Sequence, residues 1–357
     1  MLREELARRG VPMPQAKTAA EWEAMRGDVL TLMQKEVYGI RPPKPDRVTY
    51  TDVTTWEEEE VFMSGIHDKY RIQVEVELSG RKASFAFHMG IPRTKEPCPA
   101  FVSLSFYPDI VNPYQPAEEI LDRGFAVASI CYGEVTKDDG DFADNFADLI
   151  YGGRERGPED PGKIMIWAWT ASLVMDYLMT REEIDHDHIA VIGHSRLGKT
   201  ALVTGAFDER FAYVISNDSG CGGAAVSRGK GGETIEKIIA RFPFWFCLNY
   251  QKYVGREDEM PFDQNWLLSL IAPRKLLVAS ASEDLWADPN SEYLGAFAAG
   301  EISKLYGRGF AGPDRFPEPG DRFYYGDVTY HQRAGKHYLS RNDWNLYMDY
   351  ILRDMGR

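Results

Sequence analysis

The sequence predicts an α/β chain: a mostly parallel central sheet with an antiparallel N-terminal part and helices on both faces. Three observations predict it. Two early segments alternate polar and apolar residues as a hairpin would. Short apolar runs then recur, separated by helical stretches, as strands buried between helix layers require. Finally, residues 188–206 read as a buried strand, a tight turn holding a serine, and a closely packed helix.

Taken in order, 20–36 is an amphipathic helix ended by the breaker Tyr38-Gly-Ile-Arg-Pro-Pro-Lys-Pro45. Residues 70–78 alternate strictly, and 82–89 pair with them across Ser79-Gly80-Arg81. Apolar strands follow at 100–106, 125–131, 188–192, 213–216 and 275–281. The clearest helices between and after them are 116–123, 163–179 and 291–306. A strand at 322–330, a loop at 334–338 and a helix at 342–352 close the chain. An antiparallel start followed by parallel strands suits an α/β-hydrolase. No repeat or low-complexity linker divides the 357 residues, so the expectation is one domain with an N-terminal helical and hairpin extension over about 1–95.

Composition narrows the function. Hydrophobic residues at 44% and aromatics at 13% supply a large core. The net charge of −14 opposes nucleic-acid binding, which needs a basic face. No polybasic stretch suits an anionic membrane, and no apolar run reaches the roughly 18 residues of a span. The first ten residues mix charges and lack an apolar signal core, so they read as mature protein. Cys98, Cys131, Cys221 and Cys247 are widely spaced, outside any metal-ligand pattern. Free thiols in a cytoplasmic protein are the expectation.

Val191-Ile-Gly-His-Ser-Arg-Leu-Gly-Lys-Thr200 fits two incompatible machines. From Gly193 it satisfies G-x-x-x-x-G-K-[ST], the phosphate-cradling loop of nucleotide hydrolases. Around Ser195 it is a strand-to-helix turn carrying a nucleophile. The phosphate loop is the weaker reading, because bulky His194, Ser195, Arg196 and Leu197 fill the space between the glycines. Asp218, ending the run at 213–218, could still serve as its Mg²⁺ ligand. The nucleophile reading needs an acid and then a histidine further along, and the chain has both.

Among seven histidines, only His331 and His337 follow both the serine and a credible acid. His337 lies in a loop suited to overhang the sheet edge, whereas His331 ends the preceding strand and is expected to pack or hydrogen-bond there. Asp284, in the loop after 275–281, is the preferred acid to fix the histidine tautomer. Asp218 is the second candidate, with a turn residue as its ordinary role. Arg196 follows the nucleophile, where its backbone N–H and guanidinium suit an oxyanion. Lys199, one helical turn beyond Ser195, could face a polar substrate group or simply be solvated. Asp185-His-Asp-His188 reads as a turn rather than a metal site, and Gly229-Lys-Gly-Gly232 as a flexible loop.

Gly193-His-Ser-Arg-Leu-Gly-Lys199 resembles the G-x-S-R-x-G-K signature of glucuronoyl esterases, the fifteenth carbohydrate esterase family. Its second glycine comes one place later than in ordinary G-x-S-x-G hydrolases, which produces the phosphate-loop match. The resemblance continues through Asn217-Asp-Ser-Gly-Cys-Gly-Gly-Ala224, Asp263-Gln264, Ala272-Pro-Arg274, Glu283-Asp-Leu-Trp-Ala-Asp-Pro289 and Gly335-Lys-His337, and more weakly near Trp22 and Tyr38-Gly39. It implies an α/β-hydrolase fold, no metal, and cleavage of esters joining 4-O-methyl-glucuronic acid on xylan to lignin alcohols. By position it implies Ser195 as nucleophile, His337 as base and Arg196 on the oxyanion. Lys199 and Glu233 would bind sugar hydroxyls and Trp286 the sugar ring. Without it, Glu233 reads as a helix N-terminal charge and Trp286 as a core aromatic. Several members carry a longer Glu at the Asp218 position, so the resemblance favours Asp284. Most members are secreted; with no signal in this sequence, the expectation is intracellular action on small imported uronoyl esters. An acetyl esterase using the same triad on acetylated xylan is the nearest rival.

Overall fold

A computed structural model describes residues 1–55 and 62–357. Among them, ten strands form one sheet. They are β1 (Arg47–Asp52), β2 (His67–Leu78), β3 (Arg81–Pro92), β4 (Cys98–Ser105), β5 (Ala126–Cys131), β6 (Ile184–His194), β7 (Tyr213–Asn217), β8 (Lys275–Ala281), β9 (Arg322–Phe323) and β10 (Val328–Arg333). Their order is β1-β2-β3-β5-β4-β6-β7-β8-β10-β9. The first three strands and β5 pair antiparallel, and the ladder from β5 through β4, β6, β7 and β8 to β10 is parallel. The expected mixed sheet is what forms.

The β2–β3 turn is a two-residue loop, Ser79-Gly80, with φ of 51° and 78°. Positive φ at both central residues matches the right-handed twist of a hairpin, and glycine tolerates it freely. Along the parallel strands, successive side chains reach opposite faces. Ala190 and Ile192 of β6, Ile215 of β7 and Leu277 of β8 pack against Trp344, Tyr347, Met348 and Ile351 of the closing helix Arg341–Asp354. Val191, Val214, Leu276 and Val278 face the larger core on the other side. That core contains the helices Lys163–Leu178, Arg196–Phe207 and Pro289–Ser303, and it extends to Leu2, Trp22, Ile72 and Phe87 near the N-terminus. No described helix is long and apolar enough to cross a membrane.

Three elements differ from expectation. The run 322–330 is not one strand but β9 and β10, paired antiparallel with Tyr330 opposite Phe323. Gly326 lies between them, where a Cβ would come within 1.9 Å of the Gly309 carbonyl, so the chain turns. Asp185–His188 lies inside β6 rather than in a turn; His188 Nδ1 bonds Asp185 (2.8 Å) and His186 Nε2 bonds the Arg181 carbonyl (3.0 Å). The helix at 20–36 ends at Met33, and a π-helical turn, Gln34–Tyr38, follows it.

Helix Arg196–Phe207 lies so close to β7 that a Cβ on Gly205 would stand 2.2 Å from a Val214 methyl. In an open helix, glycine to alanine stabilises by about 1 kcal/mol. Here Gly205→Ala is expected to destabilise by about 1–3 kcal/mol, measured by denaturant unfolding, and Val214→Ala in the same chain should recover part of the loss.

Candidate active site

The parallel strands β6, β7, β8 and β10 point their C-terminal ends the same way, and the loops leaving them carry the candidate residues. Ser195 occupies the turn between β6 and the helix Arg196–Phe207, with φ 59° and ψ −126°. Such a conformation is costly for a residue with a side chain and is kept only where its surroundings enforce it. Here the Ser195 N–H donates to the Asn217 carbonyl (2.9 Å), while the Ser195 carbonyl accepts from Gly198 (2.9 Å) and Lys199 (3.2 Å). A Cβ on Gly193 would lie 2.0 Å from the Leu197 carbonyl, and one on Gly198 3.0 Å from Ser219 Cβ. The two glycines that imitate a phosphate loop therefore permit close crossings of the chain. Lys199, expected to seek phosphate in that reading, is 3% exposed, with Nζ on the Ser219 carbonyl (2.5 Å).

His337, in the loop after β10, bonds Asp284 through Nδ1 at 2.5 Å. Burial raises the Asp284 carboxyl, but the hydrogen bond and charge of His337 and the Ala287 N–H outweigh it, and the net shift is downward. Asp218 makes no such bond. Its carboxylate accepts from the Ala281 N–H (2.6 Å) and the Tyr338 N–H (3.3 Å), bracing β8 and the His337 loop. Burial, then the charges of Glu292 and Asp284, push its pKa well up. Sequence reasoning left two acids open; the structure puts one on the imidazole and the other on backbone beside it.

Arg196 stands among aromatic rings, nearest Trp245 at 4.9 Å from its centroid, and pairs with Asp138. The other Asp138 oxygen accepts from Trp245 Nε1 (2.6 Å). Lys199, Glu233 and Trp286 come together: Lys199 Nζ lies 3.5 Å from Glu233, whose other oxygen accepts from Trp286 Nε1 (3.1 Å). Trp286 is 46% exposed rather than a core aromatic, and Glu233 is buried. The glycine stretch 229–232 is docked, not flexible. Gly231 N–H donates to Asp288 (2.9 Å), Lys230 Nζ to the Ala287 carbonyl (2.7 Å), and a Cβ on Gly232 would strike the Leu285 carbonyl at 2.2 Å. This docking sets Glu233 against Trp286. His331 is buried inside β10, between Asp343 (2.8 Å) and Tyr324 (2.5 Å), and takes no part in the site.

The family described as "Glucuronyl esterase, fungi" matches residues 74–307. The chain belongs to the glucuronoyl esterase family. A glucuronoyl esterase from Solibacter usitatus superposes with a TM-score of 0.85 at 33% identity, over 94% of each chain. Carbohydrate esterase MZ0003, from an unknown prokaryotic organism, is 42% identical over 236 residues, 65% of this chain and 54% of that protein. A 4-O-methyl-glucuronoyl methylesterase from Podospora anserina is 27% identical over 288 residues, 77% of this chain and 54% of its own. The chain thus spans about half the length of these two curated relatives. Membership overturns the nucleotide-hydrolase alternative, and the turn at Ser195 supplies the physical reason.

Sequence reasoning missed several residues of this site. Asp138 sits in the charged run Lys137-Asp-Asp-Gly-Asp141, with no spacing relative to Arg196 that marks it. His194, beside the nucleophile in sequence, is 3% exposed and its ring lies 4.4 Å from that of His337. Burial, then the His337 charge, lower its pKa to about 3, so its ring stays neutral near pH 7. Glu292 accepts from the Gly220 N–H (2.9 Å) and the Ser280 hydroxyl (2.6 Å), beneath the loops that carry Asp218 and Asp284.

Burial raises Glu292 from 4.5 to about 7. A carboxyl raised by folding contributes stability that is complete below its unfolded pKa and is lost as pH rises through its folded pKa. Unfolding free energy is therefore expected to fall from about pH 4.5 to about pH 7, and Glu292→Gln should flatten that slope; an unchanged slope would reject the assignment.

Proposed function

We propose that this chain is a serine carboxylesterase that hydrolyses esters of (4-O-methyl-)glucuronic acid, of the kind found in glucuronoxylan and lignin–carbohydrate fragments. The observation that carries the reading is the His337–Asp284 hydrogen bond, with His337 packed on His194, the residue before a serine held at positive φ. The relatives support it by their names, 4-O-methyl-glucuronoyl methylesterase among them.

With its Nδ1–H directed at Asp284, neutral His337 has its Nε2 lone pair free to act as base. Ser195 Oγ attacks the uronoyl carbonyl carbon while His337 takes the hydroxyl proton. The carbonyl oxygen becomes an oxyanion, which the Arg196 guanidinium stabilises within its aromatic surround. When the intermediate collapses, the C–O bond to the alcohol breaks and His337 returns the proton to the departing oxygen. Water, deprotonated by the same imidazole, then attacks the acyl-enzyme, and release of glucuronate restores Ser195. The buried Lys199–Glu233 pair offers a donor and an acceptor to the hydroxyls of the sugar, and the half-exposed Trp286 ring offers a face to its carbons. None of these groups needs to change charge in the cycle.

A benzyl ester of glucuronic acid should be cleaved faster than an acetylated sugar, and Ser195→Ala should lower that cleavage by a thousandfold or more. Cleavage of the acetyl substrate alone would keep the nucleophile and reassign the specificity. Between the acids, Asp284→Asn is expected to lower kcat by roughly two to four orders of magnitude, and Asp218→Asn by less than about tenfold. The opposite ranking would move the triad acid to Asp218.

A further inference from the structure

The loop that carries His337 runs from 334 to 340, between β10 and the closing helix, reaches the surface and includes Gly335 at φ 111°. The His337 side chain is 41% exposed, so packing alone does little to hold it. Short exposed loops of this kind usually sample several conformations. Here one side chain ties the loop together. From the end of β10, Arg333 Nη1 donates to the Ala334 carbonyl (3.1 Å), and Nη2 donates to the carbonyls of Lys336 (2.9 Å) and Tyr338 (2.7 Å). The residues on both sides of His337 are thus attached to a single planar guanidinium.

The guanidinium is itself anchored. Arg333 Nε donates to Asp343 (3.1 Å), and Nη2 lies 3.8 Å from the Asp218 carboxylate, which accepts from the Tyr338 N–H. The Glu283 N–H donates to the Gly335 carbonyl (2.9 Å), which fixes this loop to the one bearing Asp284. Asp343 does not depend on the arginine. It also accepts from the Ser340 N–H and hydroxyl (both 2.7 Å) and bonds His331, so the closing helix keeps its cap without Arg333. Among the described residues, the carbonyls of Ala334, Lys336 and Tyr338 have Arg333 as their donor, whereas that of Gly335 is held by Glu283.

We infer that Arg333 is a positioning residue for His337: it fixes the backbone on either side of the imidazole so that Nδ1 meets Asp284 and Nε2 stays aimed at the serine turn. The inference rests on the role proposed above for His337. Lysine does not substitute, since one ammonium cannot span three carbonyls and a carboxylate with the geometry of a planar fork. Substrate is bound by groups on other loops, so the loss falls on turnover rather than on binding.

The test uses the full chain and two readouts. A fluorophosphonate probe reports the reactivity of Ser195 without any uronate, and benzyl glucuronate hydrolysis separates kcat from KM. The wild-type protein should label. Arg333→Lys and Arg333→Gln should retain the wild-type fold by circular dichroism, label more slowly, and lose about tenfold or more in kcat with KM within about twofold. Wild-type protein that does not label would remove the role of His337, and this inference with it. Wild-type labelling with Arg333→Lys labelling at the same rate would overturn this inference alone, as would a change confined to KM. A lysine variant too unstable to assay would assign Arg333 to global stability instead.

Discussion

The crossing of strand β6 and the helix after it is the constraint on which the rest of the site depends. A serine is held at φ 59° because its N–H and carbonyl are both committed and the chain closes on itself at Gly193. The cost of that conformation is met by the rigid parallel strands on either side and by the helix seated on β7. Once the turn is fixed, the C-terminal ends of β7, β8 and β10 lie in register with it. Each loop leaving them can then supply one component of the site at a set distance.

The charges behind that turn divide the work. Three carboxyls, Asp218, Asp284 and Glu292, lie buried close together, and burial, with their mutual repulsion after it, raises two of them. Only Asp284, bonded to His337, is held below its ordinary range. The arrangement places one firm negative charge against the His337 ring and leaves its neighbours to hold backbone. Lys199 and Glu233 follow a similar logic. Each is buried beside the other, and the Ser219 carbonyl and Trp286 ring nitrogen satisfy them further, so they stand ready without reorganising.

Arginine performs the joining that lysine could not. Arg196 combines an ion pair with Asp138 and contact with aromatic rings, and Arg333 distributes its donors over one loop and one helix cap. In both cases a planar, delocalised cation holds several acceptors at once. Asp138 is 58 residues from Arg196 in sequence, so that pairing appears only in three dimensions, whereas Asp343 is 10 residues from Arg333.

The sequence by itself determined the sheet, its antiparallel beginning, the serine turn and the order of Ser195, the candidate acids and His337. Those features are local: alternation, apolar runs and close-packed glycines act over a few residues, and Gly193, Ser195 and Gly198 carry their signal within one turn. The tertiary structure alone decided which acid meets His337, since Asp218 and Asp284 both follow strands and differ only in what their carboxylates reach. It also decided that Trp286 is exposed, that 229–232 is docked, and that β9 and β10 are separate strands. The roles of Asp138, His194 and Arg333 were not legible, because their contacts depend on side-chain direction and chain crossing, neither of which a linear spacing records.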